Sequence, residues 1–217
     1  MINVKKFIKD NSDFWYANFN KQFIKTKYEI CGVRIPILRK FAKDVEPEYI
    51  DLEGQLTHEE ILLYGFAAGE IKNEDEQIEY LQNILPYIDN WATCDSIVCG
   101  LKYLKGEKAY NFFTELLEND QEYYIRVGLV GLMRFFLKTD KLDKILSNIR
   151  KITNDAYYVK MAIAWLYAEL ATFNFDRAKK EIEQTTDKFI RNRAISKSCD
   201  SYRVDKTQKA ELSKLRI

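Results

Sequence analysis

Eleven residues beginning at Tyr123 recur, in type if not in identity, 34 positions later. Tyr123-Tyr-Ile-Arg-Val-Gly-Leu-Val-Gly-Leu-Met133 lines up with Tyr157-Tyr-Val-Lys-Met-Ala-Ile-Ala-Trp-Leu-Tyr167. Each opens on Tyr-Tyr, a β-branched residue and a base, Arg126 in one and Lys160 in the other, and then runs apolar. Ile190-Arg-Asn-Arg-Ala-Ile195 offers an approximate third copy in slipped register. A period in the thirties with two helices per unit is what stacked helix pairs show, because one pair cannot bury its apolar face alone. Two similar amphipathic core helices are the simpler alternative.

The local punctuation is helical throughout. Thr57-His-Glu-Glu60, Asn73-Glu-Asp-Glu76 and Asp205-Lys-Thr-Gln208 each place a capping residue three positions before a side chain able to reach back. Pro36 suits the first turn of a helix over 36–43. Behind the caps, apolar residues recur at three and four: Ile61, Tyr64, Ala68 and Ile71 form one stripe, and Ile145, Ile149 and Ile152 another. No alternating run of β-branched residues stands out. The expectation is about a dozen short helices and no sheet: an all-α chain built as an α-α superhelix, a solenoid of HEAT-like helical repeats, in a single domain over 1–217.

Composition removes several chemistries. His58 is the only histidine, so a cluster of histidine metal ligands is excluded and a Ser-His-Asp triad would depend on that one residue. Cys31, Cys94, Cys99 and Cys199 form no C-x-x-C pair, which points to reduced thiols in a reducing compartment. The chain opens without a signal-peptide apolar stretch, and its longest apolar run, Val127 to Met133, is far shorter than a membrane span. The expected protein is soluble and cytoplasmic, with no membrane, metal or cofactor.

The formal charge of +1 argues against a polyanionic partner only until it is divided. Residues 1–45 hold ten bases and four acids, residues 46–90 one base and twelve acids, and residues 188–217 nine bases and three acids. Two basic ends, with Arg34, Arg39 and Lys40 in one and Arg191, Arg193, Lys197 and Arg203 in the other, could grip a duplex through its phosphates. Solvated helix faces are the plain alternative. If DNA is the partner, the acidic stretch should face away from it, on outer helices.

Tryptophan is scarce: Trp15, Trp91 and Trp165. Trp91 sits in Asp89-Asn-Trp-Ala-Thr-Cys-Asp95, on the expected first turns of a helix, where Trp91 and Asp95 share a face. Arg126 lies 31 residues beyond Asp95, and Trp165 lies 39 beyond Arg126, about one helix pair per interval. Taken singly, a helical Trp belongs in a core and an Asp near a helix start is a cap or a dipole partner. Together the four suggest one concave surface.

Five stretches make the sequence resemble a known family. They are Gly32-Val-Arg-Ile-Pro-Ile-Leu-Arg-Lys-Phe-Ala-Lys43, Asn90-Trp-Ala-Thr-Cys-Asp95, Tyr123-Tyr-Ile-Arg126, Val159-Lys-Met-Ala-Ile-Ala-Trp165, and Asn192-Arg-Ala-Ile-Ser-Lys197 with Ser201-Tyr-Arg-Val204. In this order they resemble the HEAT-like-repeat DNA alkylation repair enzymes, the AlkD-like alkylpurine DNA glycosylases. The resemblance implies a monofunctional glycosylase that hydrolyses the N-glycosidic bond of cationic N3- or N7-alkylated purines in duplex DNA, without base flipping. It implies Asp95 as the catalytic aspartate, Trp91 and Trp165 as the aromatic pair around the lesion and its sugar, and Arg126 on the DNA backbone. Lys160, Arg34, Arg39, Lys40, Arg191, Arg193 and Lys197 are the further backbone-binding candidates, and a monomer is expected, since a second copy would obstruct an arch closing on DNA. The family tends to have a tryptophan and two consecutive arginines where this chain has Tyr123, Tyr124, Ile125, Arg126 and Val127, so its backbone grip is expected to differ. A non-catalytic HEAT-like DNA-binding protein and a helical-repeat protein-interaction scaffold are the alternatives.

Overall fold

The computed structural model describes residues 2–217. Among the described residues there are thirteen α-helices and no strand, the only β contact being an isolated bridge between Glu29 and Thr57. The chain divides into two compact units, Met1–Phe112 and Phe113–Ile217.

The first unit holds α1 (Val4–Asp10), α2 (Phe14–Lys21), α3 (Ile35–Phe41), α4 (His58–Ala68), α5 (Glu74–Ile84) and α6 (Trp91–Val98), and α7 (Glu107–Glu115) runs across the boundary. The expected caps set the starts. Thr57 opens α4 and shares a reciprocal box with Glu60, and Asn73 opens α5 by accepting from the N–H groups of Asp75 and Glu76. Pro36 lies in the first turn of α3, which tightens into a 3₁₀ turn over Ala42–Asp44.

Helix α4 is the hub, packing against α1, α3, α5 and α6. The Ile61, Tyr64 and Ala68 stripe is buried as expected, but so is every other residue of α4, and Ile71 falls beyond the helix end. Beyond its first turn, from Ile61 on, α4 is apolar all round, and such a helix belongs inside. Ile61, Leu62, Leu63 and Phe66 each contribute about 1.5–3 kcal/mol by leaving water.

The second unit holds α8 (Glu122–Phe135), α9 (Leu142–Ile149), α10 (Tyr157–Ala171), α11 (Phe175–Gln184), α12 (Lys188–Asp200) and α13 (Lys206–Ser213). Here α10 is the hub, between α8 and α12 and against α11. The three copies of the sequence repeat are thus α8, α10 and α12, each separated from the next by one outer helix. Ile145 and Ile149 are buried on α9, whereas Ile152 follows its end and is half-exposed.

Inside each unit, polar contacts between successive helix pairs recur at nearly the sequence period. In the first, Glu70 pairs with Lys102 at 2.5 Å, Asp75 with Lys108 at 2.8 Å, and Glu74 accepts from the N–H groups of Lys105 (2.9 Å) and Gly106 (2.6 Å). In the second, Arg150 pairs with Glu181 at 2.6 Å, Lys179 with Glu211 at 2.6 Å and Glu169 with Arg203 at 2.6 Å. All are 31 to 34 residues apart in sequence. Equivalent positions on neighbouring pairs lie one repeat apart, so a stacked helical repeat requires this spacing.

Candidate active site

In the first unit, α6 begins on Trp91 because Asn90 caps it, its buried side chain accepting from the Thr93 N–H at 3.0 Å. The residue before the cap ties that end to the segment following α2. Asp89 accepts from the Thr26 hydroxyl at 2.7 Å and the Lys27 N–H at 2.9 Å, and the indole N–H of Trp91 donates to the Phe23 carbonyl at 3.2 Å. Trp91 is held by its indole N–H and remains 36% exposed. Asp95 stands one turn further along the same helix and is half-buried. An indole and a carboxylate four residues apart thus stand on one face of a helix anchored at its first turn.

Arg39, Lys40 and Arg34 belong to the same unit and differ in availability. The Arg39 guanidinium lies 4.2 Å from the Phe66 ring centroid and donates to the Ser96 carbonyl at 3.2 Å, beside Asp95 in sequence. It braces α3 against α6. Arg34 is exposed, paired with Asp13 at 3.0 Å and set over the Tyr16 ring, while Lys40 is simply exposed.

The second unit holds the other candidates. Arg126 is 6% exposed, donates to the Tyr158 carbonyl at 2.8 Å and lies 5.7 Å from the Tyr158 ring centroid. Helix α8 also accepts from the Tyr158 N–H, through Glu122 at 2.6 Å. The repeated Tyr-Tyr pair thereby acquires a packing reason: Tyr123 meets Tyr158, and Tyr157 meets Phe189 on α12. Lys160, two residues on, pairs with Asp155 and with Asp187 at 2.9 Å, and both hydrogen bonds hold its pKa above the usual value. Trp165 is half-buried on α10. Arg191 donates to the carbonyls of Leu215 (2.6 Å) and Glu183 (3.1 Å), Arg193 is exposed over the Phe189 ring, and Lys197 is half-buried.

In chain order Asp95, Arg126 and Trp165 fall on α6, α8 and α10, one helix pair per interval as the spacing requires. None of Trp91, Asp95 and Trp165 is buried. His58 is buried at the first position of α4 with Nδ1 unpartnered, and burial lowers its pKa against the pull of Glu59 and Asp89. It is a neutral core group without access to a substrate.

Two features had no sequence signal. One is the role of Phe23, whose carbonyl holds the Trp91 indole 68 positions away. The other is Glu59, 1% exposed, whose carboxylate accepts from the N–H groups of Cys31 (2.9 Å), Gly32 (2.7 Å) and Val33 (3.3 Å). It fixes the loop that delivers Arg34 and α3.

Among the described residues no three His, Cys, Asp or Glu side chains group as a metal site would require, and no helix is long and apolar enough to cross a membrane. No curated protein matches the chain. The family model for DNA alkylation repair enzymes matches residues 4–198. With nearly the whole sequence covered, the chain belongs to the DNA alkylation repair enzyme family.

Proposed function

We propose that the protein is a monofunctional DNA glycosylase, acting as a monomer on cationic N3- and N7-alkylated purines in duplex DNA, without flipping the base. One observation carries this reading: the partly exposed Trp91 and the Asp95 carboxylate share one face of a helix whose first turn is pinned at Asn90 and Phe23.

An N3- or N7-alkylpurine already bears a positive charge. When its N-glycosidic bond breaks, the bonding electrons leave with the base and neutralise it, so no general acid is needed. That suits a chain whose only histidine is buried and neutral. The sugar becomes an oxocarbenium ion, water adds at C1′ and loses a proton, and the products are a free alkylpurine and an abasic site. Asp95 faces the developing sugar cation and orients the water. A unit charge at ~4 Å in a half-wet site attracts by roughly 4 kcal/mol at an effective dielectric near 20. If most of this is present only in the transition state, it accelerates cleavage on the order of a thousandfold.

Trp91 and Trp165 favour a cationic lesion over a normal base, by about 0.5–2 kcal/mol for each indole face presented. The exposed Arg34, Lys40 and Arg193 supply phosphate contacts in this reading. Neutral lesions, which require protonation of the leaving base, are poor substrates.

The test is release of 7-methylguanine or 3-methyladenine from duplex DNA by wild type and Asp95→Asn. The expected result is release by wild type and a loss of about a thousandfold in the variant. Equal rates would remove Asp95 from the mechanism, and no release by either protein would remove the glycosylase.

A further inference from the structure

Helix α2 is eight residues long and buries only Ala17. Trp15 is 81% exposed, Phe19 55% and Phe23, just past the helix end, 55%. Their spacing of four puts them in one stripe along α2. Phe19 and Phe23 rings lie 5.1 Å apart, and the Phe14 ring meets Trp15 at 5.7 Å. A scattered exposed aromatic needs no explanation, but a contiguous line of them marks a binding face.

This helix is not loosely attached. Asp13 caps it through the Tyr16 N–H at 3.0 Å, and Arg34 pairs with Asp13 at 3.0 Å while covering the Tyr16 ring. The aromatic face is therefore presented by a fixed element. The stripe ends at Trp91, whose indole N–H donates to Phe23. From Trp15 to Phe23 is eight residues, about 12 Å of helix, the length of three to four bases stacked at 3.4 Å.

Charge indicates what covers it. Between Asp13 and Glu29 the chain carries Lys21, Lys25 and Lys27, all exposed, and no acid. Exposed aromatic faces in a segment whose only charges are exposed lysines are what single-stranded nucleic acid uses: the rings take base faces and the ammonium groups follow the phosphates. Paired duplex keeps its base faces stacked, so it offers the stripe nothing equivalent.

We infer that Trp15, Phe19 and Phe23 form a stacking platform for the bases of single-stranded DNA, with Lys21, Lys25 and Lys27 holding its phosphates. The choice of DNA as the ligand rests on the alkylation-repair reading. Such a platform would hold unpaired nucleotides running from the Trp91 end of the site.

The test is fluorescence anisotropy of a labelled oligo(dT) 12-mer and a blunt duplex, with wild type, Trp15→Ala, Phe19→Ala and Trp15→Phe. Both alanine variants should weaken oligo(dT) binding about tenfold, as loss of one stacked base does, with the circular dichroism of wild type. Trp15→Phe should retain affinity within about threefold, and duplex affinity and base release should be unchanged. Alanine variants that bind oligo(dT) like wild type would overturn the platform, as would absence of oligo(dT) binding by wild type. Trp15-dependent self-association, or binding to phosphatidylserine vesicles without oligo(dT) binding, would assign the stripe to another partner and also overturn it. If wild type releases no alkylpurine yet the alanine variants lose oligo(dT), the platform stands and the glycosylase reading alone falls.

Discussion

Replacing Glu59 by Gln removes one buried charge at constant size, and so isolates what that charge does. Oε1 accepts from Gly32 at 2.7 Å and Val33 at 3.3 Å, and Oε2 accepts from Cys31 at 2.9 Å. A glutamine offers one acceptor oxygen and one NH₂ group, so in either orientation a donor faces a backbone donor. With the oxygen kept toward Gly32 and Val33, the Cys31 bond is lost outright, about 1.5–3 kcal/mol for a bond to a charged acceptor. The other two fall to neutral strength, about 1 kcal/mol each. Relief of the buried charge offsets part of this, leaving a net destabilisation of about 3 kcal/mol. Urea unfolding of both proteins gives the difference, with unchanged m showing that the denatured state is the same. Amide exchange should accelerate most at Cys31, Gly32 and Val33, where the bonds are. A loss below about 1 kcal/mol, or unchanged protection at those three amides, would refute the carboxylate as the anchor of this loop.

Two further outcomes follow from the same corner. Gly32 has φ 86°, and a Cβ there would lie 2.2 Å from the Asp13 carbonyl oxygen and 2.7 Å from the Ala17 nitrogen, both backbone atoms that cannot turn aside. Gly32→Ala should therefore destabilise by about 3 kcal/mol or more, and a chemical-denaturation change under 1 kcal/mol would contradict the geometry. The Cys31 thiol is pushed from 9.0 up to about 12, by burial first and then by the charges of Glu59 and Glu29. Iodoacetamide near pH 8.5 should leave Cys31 unmodified while the exposed Cys99 reacts, as peptide mass spectrometry will show. The sign of the linkage is fixed: the folded thiol keeps a proton that the unfolded chain releases, so its stabilising contribution is full below pH 9.0 and is lost as pH rises through about 12.

What the sequence revealed was governed by neighbours. Asn73, Thr57 and Asp205 are caps whose partners sit three residues away, and α5, α4 and α13 start where those residues place them. The alternation of α8, α10 and α12 was legible for a similar reason, since a repeat compares the chain with itself. Glu59 was not legible. It stands beside Glu60 in the same first turn, and only Glu60 has its partner nearby, at Thr57; Glu59 reaches back 26 to 28 residues. The narrow stripe assigned to α4 became a fully buried helix because α1, α3, α5 and α6 surround it, which no periodicity within α4 encodes. Arg126 reads as a surface base on a helix, yet its partner is the backbone of Tyr158, 32 positions on, and that contact buries it.

The uneven charge has the same repeat logic beneath it. Eight of the twelve acids in residues 46–90, namely Glu48, Asp51, Glu59, Glu60, Glu70, Glu74, Asp75 and Asp89, accept hydrogen bonds or pair with bases inside the first unit. Several bind the next helix pair along, as Glu70 does to Lys102 and Asp75 to Lys108. A stack of helix pairs needs polar contacts between equivalent positions, and acids here with bases one repeat later provide them. Part of the acidic segment is therefore occupied in joining repeats. The bases of residues 14–28 have no such acids among them: Lys21, Lys25 and Lys27 remain exposed beside Trp15, Phe19 and Phe23. A net charge near zero thus coexists with an uneven distribution, several acids being engaged in contacts inside the first unit while these lysines stay exposed.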